Sequence, residues 1–255
     1  MTAFELFLVL AGLLMGSGID AAADRFAREE SWIAGRSRCR TCERPLAWYE
    51  LVPVLSWAAM RGRCRSCHAA IGWSAPLTEL AGGALALAGV AWAPPGTLVF
   101  TVLLGWLLLA LAAIDLRTYL LPDSLNAAVL ALGAVMVALT CPADWPVHLA
   151  GVVIGFGLLW LVEVLYRRLR GRDGLGRGDA KLLGALGMWV GAPGIAPVLL
   201  IASLAGIAAA LAGSVRKAAP LRATSAIAFG PWIALGGFVV WVMQPDDFWL
   251  SSQIY

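Results

Sequence analysis

Residues 97–115 read Thr97-Leu-Val-Phe-Thr-Val-Leu-Leu-Gly-Trp-Leu-Leu-Leu-Ala-Leu-Ala-Ala-Ile-Asp115. Eighteen residues pass without a charge before a single carboxylate ends the run. A helix needs about 20 mostly apolar residues to cross the roughly 30 Å hydrocarbon layer of a bilayer. The stretch over 97–114 therefore reads as a membrane span that delivers an acid to its end. Comparable runs lie on both sides, over 4–23, 77–93, 124–141, 147–166, 179–191, 194–213 and 226–243, which makes eight candidate spans. Composition agrees. Of 255 residues, 60 % are hydrophobic and 14 % charged, against roughly 45–50 % and about 25 % in soluble domains. A soluble globular enzyme, a disordered chain and a coiled coil are excluded. No stretch shows the polar/apolar alternation of a membrane barrel. The expected architecture is an all-α polytopic membrane protein of about eight transmembrane helices with one small polar insert.

The insert covers 24–76, so the chain divides into a first helix (1–23), this segment, and a helical remainder (77–255). No basic residue precedes the first span, and Asp20, Asp24 and Arg25 follow it without a small-residue cleavage site, so it reads as a retained helix. All nineteen Lys and Arg fall in alternate connections. Nine arginines lie in 24–76, and Arg117 lies between the third and fourth spans. Arg167, Arg168, Arg170, Arg172, Arg177 and Lys181 surround the fifth-to-sixth connection, and Arg216, Lys217 and Arg222 lie before the last span. Basic loops stay in the cytoplasm. Eight crossings then put all four basic connections inside and both termini outside.

Within the insert, Cys39-Arg-Thr-Cys42 and Cys64-Arg-Ser-Cys67 form two C-x2-C pairs. Four cysteines at this spacing suit a closed tetrahedral zinc site of structural type. A short segment poor in aliphatic residues also needs such a staple. A redox dithiol pair or four free thiols are the alternatives. Cys141 reads as a small packed residue, His68 as a solvated neighbour of Cys67, and His148 as an interfacial residue.

Acids at membrane depth are expensive and are functional candidates by default. Asp115 closes the run quoted above, and Asp179 opens the sixth candidate span within Gly176-Arg-Gly178-Asp179-Ala-Lys181. Both fall at cytoplasmic helix ends in the topology above. Two carboxylates brought together share one proton, and such a pair activates water while protonating a peptide carbonyl or leaving amine. Gly176 and Gly178 would let a substrate backbone approach closely. The bland readings are an N-cap for Asp179, an interfacial residue beside Arg117 for Asp115, and a helix cap for Asp123, which follows Pro122. Glu163 is the one other acid well inside an apolar run, and it lies near the cytoplasmic end. Three functions fit these features: an intramembrane aspartyl endopeptidase, a nonenzymatic membrane scaffold of a secretion or pilus machine with a zinc docking module, and a transporter with a carboxylate relay. A relay calls for acids nearer the midplane, which this sequence lacks.

The ordered set of motifs resembles the bacterial type IV prepilin peptidases, which are bifunctional leader peptidases and N-methyltransferases. The resemblance is carried by Gly16-Ser17 with Arg25, by Cys39-x2-Cys42 and Arg61-Gly62-Arg63-Cys64-x2-Cys67, and by Leu51-Val-Pro-Val-Leu-Ser56 and Pro76-Leu-Thr-Glu79. It continues in Asp115-Leu-Arg-Thr-Tyr-Leu-Leu-Pro122-Asp123, in Gly176-x-Gly178-Asp179-Ala-Lys181, and in Phe229-Gly-Pro231. The resemblance implies that Asp115 and Asp179 are the catalytic pair. It implies cleavage of a prepilin or pseudopilin leader at the cytoplasmic face of the inner membrane, followed by methylation of the new N-terminus with S-adenosylmethionine. It also implies zinc at the four cysteines, lipid as the surroundings and no nucleic-acid partner. Gly62 is a candidate for the methyl-donor site. Glu50, Glu79 and Asp123 are candidates for holding a basic leader, and Gly176, Gly178 and Lys181 for contacts with substrate or methyl donor. The family commonly carries Asn where this sequence has Asp20.

Overall fold

A computed structural model describes residues 1–31, 36–171, 176–217 and 228–244. Arg172 and Arg222 of the basic connections, and the first two residues of the last candidate span, lie outside the described residues. The chain forms two compact units, Met1–Ala91 and Trp92–Tyr255. Each is helical, and among the described residues β-structure is limited to two isolated bridges.

In the first unit, α1 (Ala3–Ala27) begins in a capping box. Thr2 accepts the Glu5 amide at 3.2 Å, and Glu5 accepts the Thr2 amide at 2.7 Å, so two otherwise orphaned donors satisfy each other's residue. α2 (Leu55–Ala59) is one short turn within the polar segment, and α3 (Ser74–Trp92) returns along α1. Small residues set that return. A Cβ on Gly12 would stand 2.4 Å from the Gly82 carbonyl oxygen, and one on Gly16 2.3 Å from that of Thr78. Only glycine permits this backbone contact, which is the packing mode expected of helices in lipid.

The second unit holds α4 (Leu98–Thr118), α5 (Asp123–Thr140), α6 (Trp145–Arg170), α7 (Arg177–Lys217) and α8 (Gly230–Val242). α6 and α7 touch backbone to backbone at Gly151 and Gly187, where an added Cβ would meet a carbonyl at 2.4 and 2.2 Å. The centre is aromatic. Trp189 and Trp241 are fully buried and meet edge to face at 5.1 Å. Each finds a partner for its ring N–H, the Val129 carbonyl at 3.0 Å and the Thr101 hydroxyl at 2.9 Å. His148, in the first turn of α6, is fully buried within the protein. It donates Nδ1–H to the Met188 carbonyl at 2.9 Å, which ties α6 to α7.

Six helices among the described residues are long and apolar enough to cross a membrane, against the eight spans expected. The difference has a local cause. Spans six and seven are two legs of α7, joined where Gly191 takes φ 64° and ψ 178°. Pro193 follows and has no amide to give to the preceding turn. The first leg, Arg177–Val190, is about 21 Å long at 1.5 Å per residue, short of the hydrocarbon thickness. α8 has 13 residues and is also short.

Candidate functional site

The second unit gathers its acids where α4 ends and α7 and α8 begin. Asp115 lies in the last turn of α4 and Asp179 in the first turn of α7, and both are buried. Left-handed Tyr119 (φ 56°) terminates α4 by donating its amide to the Asp115 carbonyl at 2.9 Å. The chain then folds back through Leu121. A Cβ on Gly178 would lie 2.8 Å from the Leu121 Cβ, and one on Gly230 would lie 3.1 Å from the Leu121 methyls. Leu121 thus packs against the first turns of both α7 and α8. Gly230 donates its amide to Asp115 Oδ2 at 3.1 Å, and Asp179 donates its own to the Gly176 carbonyl at 3.1 Å. The sequence reading found both acids but gave Gly230 no role. The available signal was Gly230-Pro231, a residue without a side chain opening a helix.

Asp123 does not cap α5 with its side chain. The exposed carboxylate holds Lys181 Nζ, with both oxygens at 2.7 Å, and so joins the first motif to the second. Glu163 is buried on α6 and binds Arg167 and Arg177.

The first unit holds a separate centre. The Sγ atoms of Cys39, Cys42, Cys64 and Cys67 all lie within 4.8 Å of one another, and those of Cys39 and Cys67 are 3.8 Å apart. A tetrahedral zinc site with Zn–S of about 2.3 Å has sulfur–sulfur edges of about 3.8 Å, so the donor set fits this ion. The two C-x2-C loops repeat one backbone design. Cys39 and Cys64 donate their amides to the carbonyls of Arg44 and Ala69, both at 2.9 Å. Glu43 and His68, each one residue past the second cysteine, return a bond to the carbonyl of the first at 3.0 Å. Both are left-handed, with φ 55°. Backbone N–H groups of Cys42 and Thr41 point at Cys39 and hold its thiol below the ordinary range. Those of Cys67 and Ser66 hold Cys64 at about 6. Cys67 also receives a backbone N–H, from Ala69, but desolvation and the neighbouring thiols push it to about 11.

The remaining candidates of this unit already have partners. Glu50 is buried, accepts Arg44 at 2.6 Å and the Ala47 amide at 2.8 Å, and is held below the ordinary carboxylate range mainly by that guanidinium. Glu79 is buried and accepts the Val54 amide at 2.7 Å. Gly62 takes φ 67°, and a Cβ there would stand 3.0 Å from the Trp57 ring. Asp20 is buried on α1 and accepts Arg40 Nη2 at 3.0 Å, while Asp24 accepts Arg40 Nε at 3.2 Å. Arg40 sits inside the first C-x2-C loop, so the loop is tied to the first helix. An aspartate at position 20 makes that tie ionic. A cavity of about 200 Å³ opens here, lined among others by Asp20, Asp24, Arg40, Glu50, Trp57 and Glu79.

Comparison with known proteins gives a consistent assignment. Residues 10–93 match the family described as Bacterial Peptidase A24 N-terminal domain, and residues 102–211 match the Type IV leader peptidase family. These two segments divide the chain within a few residues of the boundary between its units. A protein of Burkholderia pseudomallei named prepilin leader peptidase/N-methyltransferase is 39 % identical over 89 % of this chain and 74 % of its own length. Proteins of the same name from Dickeya chrysanthemi and Xanthomonas campestris pv. campestris are each 35 % identical. The first is matched over 96 % of this chain and 94 % of its own length, the second over 92 % and 90 %. No solved structure matches the chain. With both of its units matched by these family models and relatives of this identity over most of its length, the chain belongs to the type IV leader peptidase family.

Proposed function

We propose that this protein removes the leader from type IV prepilins or pseudopilins and methylates the N-terminus so exposed, with Asp115 and Asp179 as the peptidase pair. The observation that carries the reading is the packing around Leu121, which brings the start of α7 beside the end of α4 and leaves both acids buried. One shared proton serves both ends of the hydrolysis. The ionised carboxylate takes a proton from water as its oxygen attacks the scissile carbonyl carbon, and the neutral carboxyl protonates the carbonyl oxygen. Collapse of the tetrahedral diol breaks the C–N bond and returns a proton to the leaving amine. The Gly230 amide orients Asp115. Lys181, two residues after Asp179, pairs with the exposed Asp123, and the two are placed to meet the polar leader. Gly176 and Gly178 leave room for its backbone.

The methyl-transfer half belongs to the first unit. When bound, S-adenosylmethionine supplies the methyl group. Asp20 and Asp24 at the cavity would hold its ammonium and sulfonium charges in exchange for part of their contact with Arg40, which would turn to its carboxylate, and Trp57 would meet its adenine. Gly62, under the Trp57 ring, shapes that wall. Zinc at the four cysteines is structural, because a closed site has no position for water. Residues 1–23 and 24–76 serve as first helix and zinc-stapled segment, and within 77–255 the protease helices are those of the second unit, α4 to α8. The protein lies in the bacterial inner membrane. With the two legs of α7 and α8 counted as crossings, both termini are periplasmic and the dyad faces the cytoplasm, as the basic loops require.

Incubation of the purified protein with a prepilin peptide, with and without S-adenosylmethionine, tests both halves by mass spectrometry. The expected products are the cleaved peptide and, with the methyl donor, the same peptide carrying one added methyl group. An Asp115→Asn or Asp179→Asn variant that folds and still cleaves at the wild-type rate refutes the dyad.

A further inference from the structure

We infer that Glu163 is a positioning residue for Asp179, acting through Arg177 to fix the turn from which α7 starts. The inference rests on the reading of Asp179 as a catalytic residue.

Glu163 is 1 % exposed, on the last third of α6. Burying a carboxylate costs several kcal/mol unless partners compensate it. Here both partners meet the same oxygen. Oε1 accepts Arg167, one turn further along α6, and Arg177 Nε at 3.2 Å from the start of α7, while Oε2 has no partner among the described residues. Arg167 already supplies the neutralising charge from the same helix. The second guanidinium therefore does something other than neutralise. Arg177 has a side chain that is 67 % exposed and could lie in solvent, yet it reaches back to a buried acid.

Its place in the chain explains why. Arg177 stands between Gly176 and Gly178, two residues before Asp179. Two glycines give this turn more backbone freedom than any other residue type would, while proton transfer needs the acid held within a few tenths of an ångström. Three contacts supply what the glycines lack. Gly178 rests on Leu121, Lys181 reaches Asp123 on α5, and Arg177 reaches Glu163 on α6. The last is the one anchored on a buried charge. Arg167 stays on Glu163 when Arg177 is lost, and the Arg177 side chain is itself largely exposed, so that loss should show in catalysis rather than in folding. The Arg177→Met change is also benign to the core, because Glu163 keeps Arg167.

The test uses the full-length protein in detergent or nanodiscs with a prepilin peptide, comparing wild type, R177M, R177K, E163Q, E163Q/R177M and D179N. D179N is expected to be inactive. R177M and E163Q should each lower kcat roughly 10-fold or more with KM within about 2-fold, as small misplacements of a reacting group do. R177K should recover part of the loss, and the double variant should be no slower than the slower single one. The unfolding midpoint of R177M should stay within about 2 °C of wild type. Wild-type kcat in R177M, or multiplicative losses in the double variant, overturns the positioning role while inactive D179N leaves the peptidase reading intact. Full activity in D179N overturns both.

Discussion

Gly230 and Asp115 are 115 positions apart in sequence and 3.1 Å apart in space, the amide of one donating to Oδ2 of the other. The contact sits at the first residue of α8 and the last turn of α4, and it leaves no room for a side chain. A Cβ on residue 230 would stand 2.8 Å from that oxygen and 3.1 Å from Leu121. Gly230→Ala must therefore rotate Asp115 or push the start of α8 away. Peptide cleavage should fall roughly 10- to 100-fold, while methylation of an already cleaved peptide, assigned to the other unit, should be unchanged. Equal loss of both activities would indicate unfolding instead.

The four sulfurs predict a metal content. Each chain should carry one zinc, and replacing any of Cys39, Cys42, Cys64 or Cys67 by Ser should release it, since three thiolates no longer close the tetrahedron. Strong chelation should loosen residues 36–73, seen as faster proteolysis or hydrogen exchange there, because metal binding and folding are coupled in small modules. Methylation should fall before cleavage does. Elemental analysis of the purified protein checks the first statement directly.

The parts legible from sequence were those in which one residue type signals its own chemistry. Four cysteines at C-x2-C spacing announce a metal centre, and an acid ending an apolar run announces a cost that function must repay. Glu50 and Glu79 were harder to read. Both are candidates for holding a basic leader, and each already has a partner that its spacing does not mark. One is Arg44, six residues away, and the other is the amide of Val54, 25 residues away. Lys181 and Asp123 pair across 58 positions. The difference between eight expected spans and six long helices has another cause. Hydropathy registers how apolar 179–213 is, but not that Gly191 swings the backbone to φ 64° and joins the sixth and seventh spans as two legs of α7.

Val54 tests how the polar segment holds its shape. A β-branched residue at φ 60° is strained, at an expense of about 1–3 kcal/mol. Glu79 stabilises that conformation by accepting the Val54 amide at 2.7 Å. Val54→Gly should relieve the strain and leave the unfolding midpoint unchanged or higher, although it removes a half-buried side chain. Glu79→Ala should lower the midpoint by several degrees, since it leaves both a strained turn and an unpartnered amide. In Val54→Gly/Glu79→Ala the second loss should be smaller than in the wild-type background. Thermal unfolding of the three variants settles the comparison.

Glu50 gives a pH dependence of definite sign. Its carboxyl is held below the ordinary range, chiefly by the Arg44 guanidinium and then by the Ala47 amide. A group whose folded pKa is depressed contributes stability above its unfolded pKa, about 4.3 for glutamate. That contribution disappears as pH falls through the lower, folded value. Glu50→Gln removes the titrating group but keeps its size. At pH 7 the variant should unfold at a midpoint on the order of 2–4 °C below wild type, as a loss near 1 kcal/mol does for a protein of this size. The gap should stay constant down to about pH 5 and close at lower pH, because the wild type then loses the same charge. Arg44→Met should behave alike at neutral pH, and combining it with Glu50→Gln should add little. Scanning fluorimetry from pH 8 to pH 3 with zinc-loaded protein measures the gap. A difference that widens on acidification would mean that Glu50 is carried protonated in the folded protein, contrary to its contact with Arg44.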